Sequence, residues 1–492
     1  MQRMKRQAGV AMVTVLFIGA AMTAVASGAA FVTIRELNSG NQDQRATSAV
    51  SVAEAGIDRF IQEIQSGVYS FSDMNKAGCA NPKLTLTNGS VGSGIYAVEM
   101  TVYDPTQSNP ANRIPPATSP TTVAPCLNRP TVARDFKPYF QITSTGTFQN
   151  STRKIRQVIL LEPRNLPIGL FGNVFDANGD ADLAGISLIA RTNVDDRGKL
   201  DFTGTDKWYQ IQDFFPGGVT GANLTDHIPT AAHSAGQLTV KNAAEYASER
   251  PNCTANKTNG NKQSIWDSDG STGSGAITAA MVAAASGCSG LTAYPNNNKF
   301  TAADLDARFK TTLGTDDHAA LKAAAKQTGI YCSYPGTGGS GATSCFVGGV
   351  AKAAGADFTA TDVTNLIASG RRNFIAYFEY RSQLAGSPNS FVWNGGDVWP
   401  CSDTAANHRS VVIIVKNGSF GDINGSSRIN GAIITDGDFG KGNGQAVING
   451  TVMAQGLTIR GTINFTLDDC WIRNMPGPFF NVIRGQWTEI DR

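Results

Sequence analysis

The run Val10–Ile34, VAMVTVLFIGAAMTAVASGAAFVTI, contains no charged residue. At about 1.5 Å per residue, a helix of this length crosses the apolar core of a bilayer. Arg3, Lys5 and Arg6 precede it as a short basic leader that closes on Gln7-Ala8-Gly9. The helical signal continues past the uncharged run. Between Arg45 and Ser66 the residues Val50, Ala53, Ile57, Phe60, Ile61 and Ile64 recur at spacings of three and four, on one face. Gly67 then stands where a C-cap is expected. The chain is therefore expected to open on one long helix, apolar all round at first and one-sided further on.

Two motifs in this region carry a resemblance. They are Arg6-Gln7-Ala8-Gly9-Val10-Ala11-Met12-Val13 and Val52-Ala53-Glu54-Ala55-Gly56-Ile57. With the uncharged helix between them they resemble a type IV prepilin, in particular the N-terminus of PilX-type minor pilins. The resemblance covers the first 65 residues or so and extends weakly to about residue 163. It implies cleavage after Gly9 by a prepilin peptidase and methylation of the new amino terminus at Val10. It further implies a single pass in the inner membrane before assembly, then a place beside other pilins in a filament at the cell surface. Most pilins of this kind carry Glu at the fifth mature position, where this chain has Thr14. In the family that Glu neutralises the terminal amine of the subunit ahead. A carboxylate in an apolar core is costly unless paired. A subunit with nothing ahead has no amine to pair with, so Thr14 fits a tip or initiating position, and equally a relaxed spacing. Two other readings of the segment stay open. One is a secretory signal cut after Ala24-Val25-Ala26, which the apolar run on through Phe31-Val32-Thr33-Ile34 opposes. The other is an uncleaved single-pass anchor.

With 492 residues the chain is expected to hold two or three domains. Lys and Arg total 41 against 39 Asp and Glu, a net charge of +2 that does not suggest a nucleic-acid partner. Charged residues make up only 16% while Gly numbers 53, a balance that favours short strands joined by many turns. The cysteines are Cys79, Cys126, Cys253, Cys288, Cys332, Cys345, Cys401 and Cys470, with no C-x-x-C pair among them. Eight cysteines beyond an apolar segment read as disulfides formed in an oxidising compartment, although eight allow 105 pairings. Sequential pairing (79 with 126, 253 with 288, 332 with 345, 401 with 470) keeps each bridge within one module. Buried free thiols are the alternative.

After the helix, Ile95–Tyr103, Tyr139–Gly146 and Arg153–Leu161 read as strands, the last two as a hairpin across Gln149-Asn150-Ser151. The Pro-rich stretch Asp104–Pro138 between them reads as a loop. Farther on, Gly418, Gly437 and Gly456 stand nineteen residues apart, each closing an apolar run, and Ile429-Asn430-Gly431 recurs as Ile448-Asn449-Gly450. A repeat of this size points to stacked coils of a β-solenoid, with a meander of hairpins as the alternative. A similar unit runs from Asn173 to Ala190, so the solenoid is expected to begin near Pro167 and resume near Ser410. Between them Ala302–Lys310, Asp316–Gln327 and Thr361–Ser369 read as helices and Phe374–Tyr380 as a strand with aromatics on both faces. The expected fold class is α+β. Its expected parts are a leader (1–9), a transmembrane or filament helix (10–67) and a pilin-like β head (68–165). A first β-solenoid segment (166–203), a mixed, loop-rich, disulfide-bonded insertion (204–406) and a C-terminal β-solenoid segment (407–492) follow.

Candidate chemistry is sparse. Asp176, Asn178, Asp180 and Asp182 alternate as hard oxygen ligands for calcium would, but Ser187 stands where an EF-hand loop needs Glu. A polar turn is the simpler reading, and Asp267 and Asp269 call for the same one. His227, His233, His318 and His408 fall in unrelated contexts, with no metal or nucleophile motif. Trp266, Trp393, Trp399 and Tyr334 are candidates for stacking on sugars, buried packing being commoner. No catalytic residue, cofactor or metal is assigned. The expected role is a large minor pilin at a filament tip, acting in assembly initiation or in adhesion to a surface ligand. The competing class is a membrane-anchored carbohydrate-binding protein or carbohydrate-active enzyme with a pilin-like export signal.

Overall fold

The structure is a computed structural model. It describes residues 2–66, 68, 84–85, 88–103, 139–163, 170–177, 181–184, 188–196, 200–203, 232–234, 238–240, 265–267, 293–295, 315–335, 341–381, 389–400, 409–423, 427–442, 445–466 and 475–490. One long N-terminal helix is followed by antiparallel and parallel sheet, an α+β architecture.

Helix α1 runs unbroken over Gln2–Gln65, so it begins within the expected leader rather than at residue 10. Its expected cap Gly67 lies outside the described residues, but the Val68 N–H reaches back to the Glu63 carbonyl at 2.9 Å, a six-to-one closure. The one-sided stripe does what its period requires. Ala49, Val52, Ala53, Ile57, Phe60, Ile61 and Ile64 are buried against Val98, Met100, Phe140, Ile142, Ile155 and Ile159 of a sheet. That sheet contains β1 (Gly94–Tyr103), β2 (Tyr139–Phe148) and β3 (Ser151–Pro163), antiparallel in that order. Helix and sheet meet at glycines. A Cβ on Gly146 would collide with the Ala49 carbonyl and the backbone of Ala53. One on Gly56 would stand 2.6 Å from Ser144 Oγ and 2.9 Å from the Tyr96 ring. Neither contact leaves room for a methyl group.

The sheet is completed from the far end of the chain. The C-terminal strand Phe480–Ile490 pairs antiparallel with β3, Phe480 facing Pro163 and Ile490 facing Lys154. Arg484 reaches Asp58 of α1 at 2.5 Å, and Gln157 donates to the Gly485 carbonyl at 2.7 Å. This corrects the expectation that residues 407–492 form one segment. The last strand belongs to the head, because the outer edge of β3 offers a row of unpaired backbone groups that it fills. Everything between Pro163 and Phe480 is thus carried as an insertion between two neighbouring strands of the head.

That body is built on parallel pairing. β4 (Leu170–Ala177) and β5 (Ala181–Ala184) pair in parallel with β6 (Leu188–Asp196) and β7 (Leu200–Thr203). The short strands 232–234, 238–240, 265–267 and 293–295 continue the ladder. At the opposite end stand β8 (Ile330–Tyr334), β9 (Asn373–Tyr380) and β10 (Ser390–Trp393). Next come β11 (Ser410–Lys416), β12 (Ser419–Ile423), β13 (Arg428–Thr435) and β14 (Phe439–Lys441). β15 (Gln445–Met453), β16 (Gly456–Ile459) and β17 (Thr462–Thr466) close the series. β8 pairs with β9, β9 with β11, β11 with β13 and β13 with β15, all in parallel. The ladder therefore starts well before residue 407, inside the stretch 204–406 read as a separate insertion. Its last strands then meet the first ones, Val452 beside Leu170 and Ile463 beside Ala181. The two runs form one ladder, entered and left by the chain in mid-stack.

The nineteen-residue spacing has a physical cause. Phe420 lies in register with Phe439, Ile429 with Ile448 and Asn430 with Asn449. A column of rings follows inside the stack: Phe378 to Phe391 at 4.0 Å, Phe391 to Phe420 at 5.8 Å and Phe420 to Phe439 at 5.4 Å between centroids. Asn449 donates to the Asn430 side chain at 2.9 Å in a buried site. The repeated glycines sit where successive turns of the ladder touch, the Gly437 N–H bonding the Gly418 carbonyl at 2.9 Å and Gln455 bonding that of Gly437 at 2.8 Å. Gly431 and Gly450 have φ of 140° and 153°, and a Cβ on either would strike a carbonyl of the neighbouring strand, Val411 and Gly431 respectively.

Among the body's helices, α2 (Thr315–Thr328) packs over β8 and β9, and α3 (Ala360–Ala368) follows it. Thr328 donates to the Ser66 carbonyl at 3.0 Å, joining the end of α2 to the end of α1. The expected helix 302–310 lies outside the described residues. Replacing Gly146 by Ala should lower stability by about 2–4 kcal/mol, because the added methyl meets backbone atoms that cannot move aside. The check is amide exchange over β1–β3 in the detergent-solubilised chain, where protection should fall in the head and persist in the body.

Candidate functional site

The largest unsatisfied surface among the described residues is the N-terminal half of α1. Thr14 to Gly40 is exposed along its whole length, with Phe17 and Val25 each 73% exposed. Its most apolar window has a mean hydropathy of 2.0 and none of it is buried, so it is long and apolar enough to cross a membrane. The hydroxyls along it are satisfied within the helix. Thr23 donates to the Gly19 carbonyl at 2.7 Å, Ser27 to Thr23 at 2.6 Å and Thr33 to Ala29 at 2.9 Å. Back-bonded in this way, they can enter an apolar medium without stranded donors. Gly9, Val10 and Thr14 fall on this one continuous helix.

The other candidates scatter. Asp176 is the penultimate residue of β4 and Asp182 lies in β5, whereas Asn178 and Asp180 lie outside the described residues, as do His227, His408 and Asp269. His233, Trp266 and Asp267 fall in the short strands 232–234 and 265–267. Trp393 is fully buried, its indole N–H donating to the Gly396 carbonyl at 2.9 Å. Tyr334 is buried too, its hydroxyl donating to Asp357 at 2.8 Å. Neither presents a face to a sugar, and Trp399 lies under the Arg428 guanidinium at 5.5 Å. Cys332 and Cys345, directly opposed on β8 and the antiparallel strand Ser344–Val347, form a disulfide. Asp357 approaches these two sulfurs, but both are committed to the bridge and neither is a thiolate ligand. Cys79, Cys126, Cys253, Cys288, Cys401 and Cys470 lie outside the described residues.

Around α2 a polar and aromatic group covers the outer face of the stack. His318 Nδ1 lies 3.1 Å from the Tyr377 hydroxyl, Lys322 pairs with Glu379, and Tyr331 donates to Glu379 at 3.2 Å. Burial works to lower the Lys322 pKa, but its hydrogen bond to Glu379 and the nearby charges outweigh that and raise it. Burial, then the charge of Asp357, pushes Tyr380 up to about 12. These groups are matched to one another, as in a packing layer.

A comparison with solved structures finds a pilin. The crystal structure of the competence-associated pilin ComZ from Thermus thermophilus matches with 11% identity over 91% of this chain and 98% of that one, with a TM-score of 0.24. At that score the likeness carries no structural argument. No family model matches the chain, and no curated protein does.

One cluster escaped the sequence reading. Four buried N–H donors lack any acceptor: Arg371 Nη1, Asn373 Nδ2, Arg409 Nε and Asn430 Nδ2. They lie at the starts of β9, β11 and β13, which are neighbours in the ladder. Arg371-Arg372 before a strand and Arg409 before another were the available signal, and the register sets Ser410, the residue after Arg409, opposite Asn373.

At the head of α3, Thr359 and Asp362 form a reciprocal capping box, and Lys352 pairs with Asp362. Burial works to raise the Asp362 pKa, but Lys352 and the Thr359 bonds outweigh it and hold the carboxyl below its ordinary value. A depressed folded pKa stabilises above the unfolded value, about 3.9, and the gain is lost as pH falls through the folded one. Asp362→Asn should therefore cost about 1–2 kcal/mol near neutrality. Melting curves of the two forms should converge below about pH 4, and a gap independent of pH would refute the assignment.

Proposed function

We propose that this chain is a large minor pilin of a type IV pilus or a related filament, of the PilX type in its N-terminal region. The observation that carries the reading is the division of α1. Its C-terminal half is fitted to an antiparallel sheet through Gly56 and Gly146, while Thr14 to Ile34 offers apolar surface to a membrane or to other helices. In this reading a prepilin peptidase cuts after Gly9, Val10 is methylated, and the mature helix leaves the inner membrane to pack beside other pilins at the cell surface.

The position proposed is the tip. Thr14 supplies no carboxylate to the amine of a subunit ahead, and a body inserted between two head strands is too bulky to repeat along a tightly packed filament. We read the parallel ladder as a β-solenoid, a rigid body that would hold its surface away from the filament, for assembly initiation or for adhesion. The role is structural and interactive rather than enzymatic.

The test is the N-terminal sequence and mass of the mature protein recovered from sheared surface filaments. A start at methylated Val10 is expected. A start at Met1 or Ser27, or absence from the sheared fraction, would remove the pilin reading. Deletion of the gene should abolish piliation if the protein initiates at the tip, whereas intact pili would indicate a mere tether.

A further inference from the structure

Strands buried on both faces carry little information about their own register. Alternation fixes register where one face is wet, because a one-residue slip then turns the apolar set toward water. In β11 the whole run Val411 to Val415 is buried, as are Phe374 to Phe378 of β9 and Ala432 to Ile434 of β13. Such runs read as continuous apolar stretches rather than alternating ones. Sliding one of them past the next keeps apolar side chains against apolar side chains. Something other than the apolar pattern must decide which residue faces which.

A column of buried polar side chains crosses these strands. Asn373 faces Ser410, and Asn430 faces Asn449. Val411 faces Gly431, which sets Ser410 and Asn430, the residues just before them, at one level of β11 and β13. None of the four is more than 4% exposed. Asn449 Nδ2 donates to Asn430 Oδ1 at 2.9 Å, and Ser410 Oγ donates to Asn373 Oδ1 at 3.3 Å. Both bonds run the same way along the ladder, toward β9. Asn430 Nδ2 has no acceptor, so the column consists of two separable bonded pairs. Each pair requires one alignment. A slip of one residue puts Ile448 or Gly450 where Asn449 stood and leaves both buried amides without their bond.

We propose that Asn373, Ser410, Asn430 and Asn449 form the register key of the parallel ladder, a conformational device that selects one alignment among those the apolar packing accepts. A polar residue at a core position of a coiled coil acts in the same way, giving up stability for a unique register. Alignment matters beyond these strands, because β15 carries Val452, which meets Leu170 where the two runs of the ladder join. Strands out of step at β13 would bring the wrong residues to that seam. The key stands whether or not the chain is a pilin. Gly431 and Gly450 are the rival explanation, since a Cβ on either meets backbone of the neighbouring strand.

The measurement is hydrogen exchange read by mass spectrometry on the full chain in detergent micelles, over peptides covering β11, β13 and β15, with both glycines left in place. Registers interconvert only by breaking the ladder, so a mixture of them gives two isotopic envelopes in one peptide. The parent should give one. Asn430→Leu alone should lower the melting temperature by about 2–4 °C, because the Asn449 amide loses its acceptor. Asn430→Leu combined with Asn449→Leu should melt no lower than that single variant and yet give two envelopes, the packing being apolar and the key gone. Should the leucine pair fail to fold, Asn430→Ala with Asn449→Ala removes the bond without added bulk and should give the same two envelopes. Asn449→Ser keeps a donor toward Asn430, as Ser410 does toward Asn373, and should keep one envelope. A single envelope with parental protection in a paired variant would overturn the proposal and leave register to the glycines. Two envelopes from Asn449→Ser would overturn it as well, since the side-chain volume would then matter and not the bond.

Discussion

The pairing of Pro163 with Phe480 is the constraint on which the rest depends. It brings the two ends of the body together at one edge of the head sheet, so the body behaves as a very long loop between adjacent antiparallel strands. Closing such a loop costs only slowly more as it lengthens. The head can therefore carry a body far larger than itself without changing its own sheet. The helix then has one job in the head, to cover the sheet face with Ala53, Ile57, Phe60 and Ile64.

Because entry and exit coincide, the body cannot be a simple stack with a terminus at each end. β4 follows β3 into the middle of the ladder, and the chain climbs through β6 to the short strands at 232–295. It next appears at the opposite end, at β8, and returns through β9, β11, β13 and β15 until Val452 lies beside Leu170. The ladder pairings along this route are parallel, so backbone groups are satisfied across the junction as they are within each half. The seam needs no special side chain, since the ladder supplies its bonds.

Sequence made some of this legible and hid the rest for physical reasons. The stripe from Val50 to Ile64 has the period of a helix with one wet face, and those residues are the ones the sheet covers. Ile429-Asn430-Gly431 and its repeat are visible because parallel strands a constant nineteen residues apart place like residues in register. Asn373 and Ser410 also pair in register, but the chain between them is about twice as long as the nineteen-residue spacing, so the period vanishes there. The C-terminal strand was missed because Val482 and Ile483 are followed by Gly485, where a bulge breaks the alternation that marks a strand. The neighbouring of Asn373 and Ser410 was invisible too, since they are remote in sequence and a ladder register is the one thing composition and spacing cannot supply.

Among the described residues, load on the body reaches the head through the two ends of this insertion, the contacts beside them and the bond from Thr328 to Ser66. Pulling on Pro163 and Phe480 draws both strands the same way, while β3 remains held by β2 through ten facing residue pairs. The C-terminal strand would have to slide along β3 to leave, and its bonds run across that direction, so they resist together rather than in turn. Arg484 to Asp58 adds little by itself, since both groups are well exposed. The burial of Phe480 and Phe479 near the end of α1 adds more, because apolar area must be wetted before the strand can move. The same residues that close the fold are thus the ones that transmit force between its two parts.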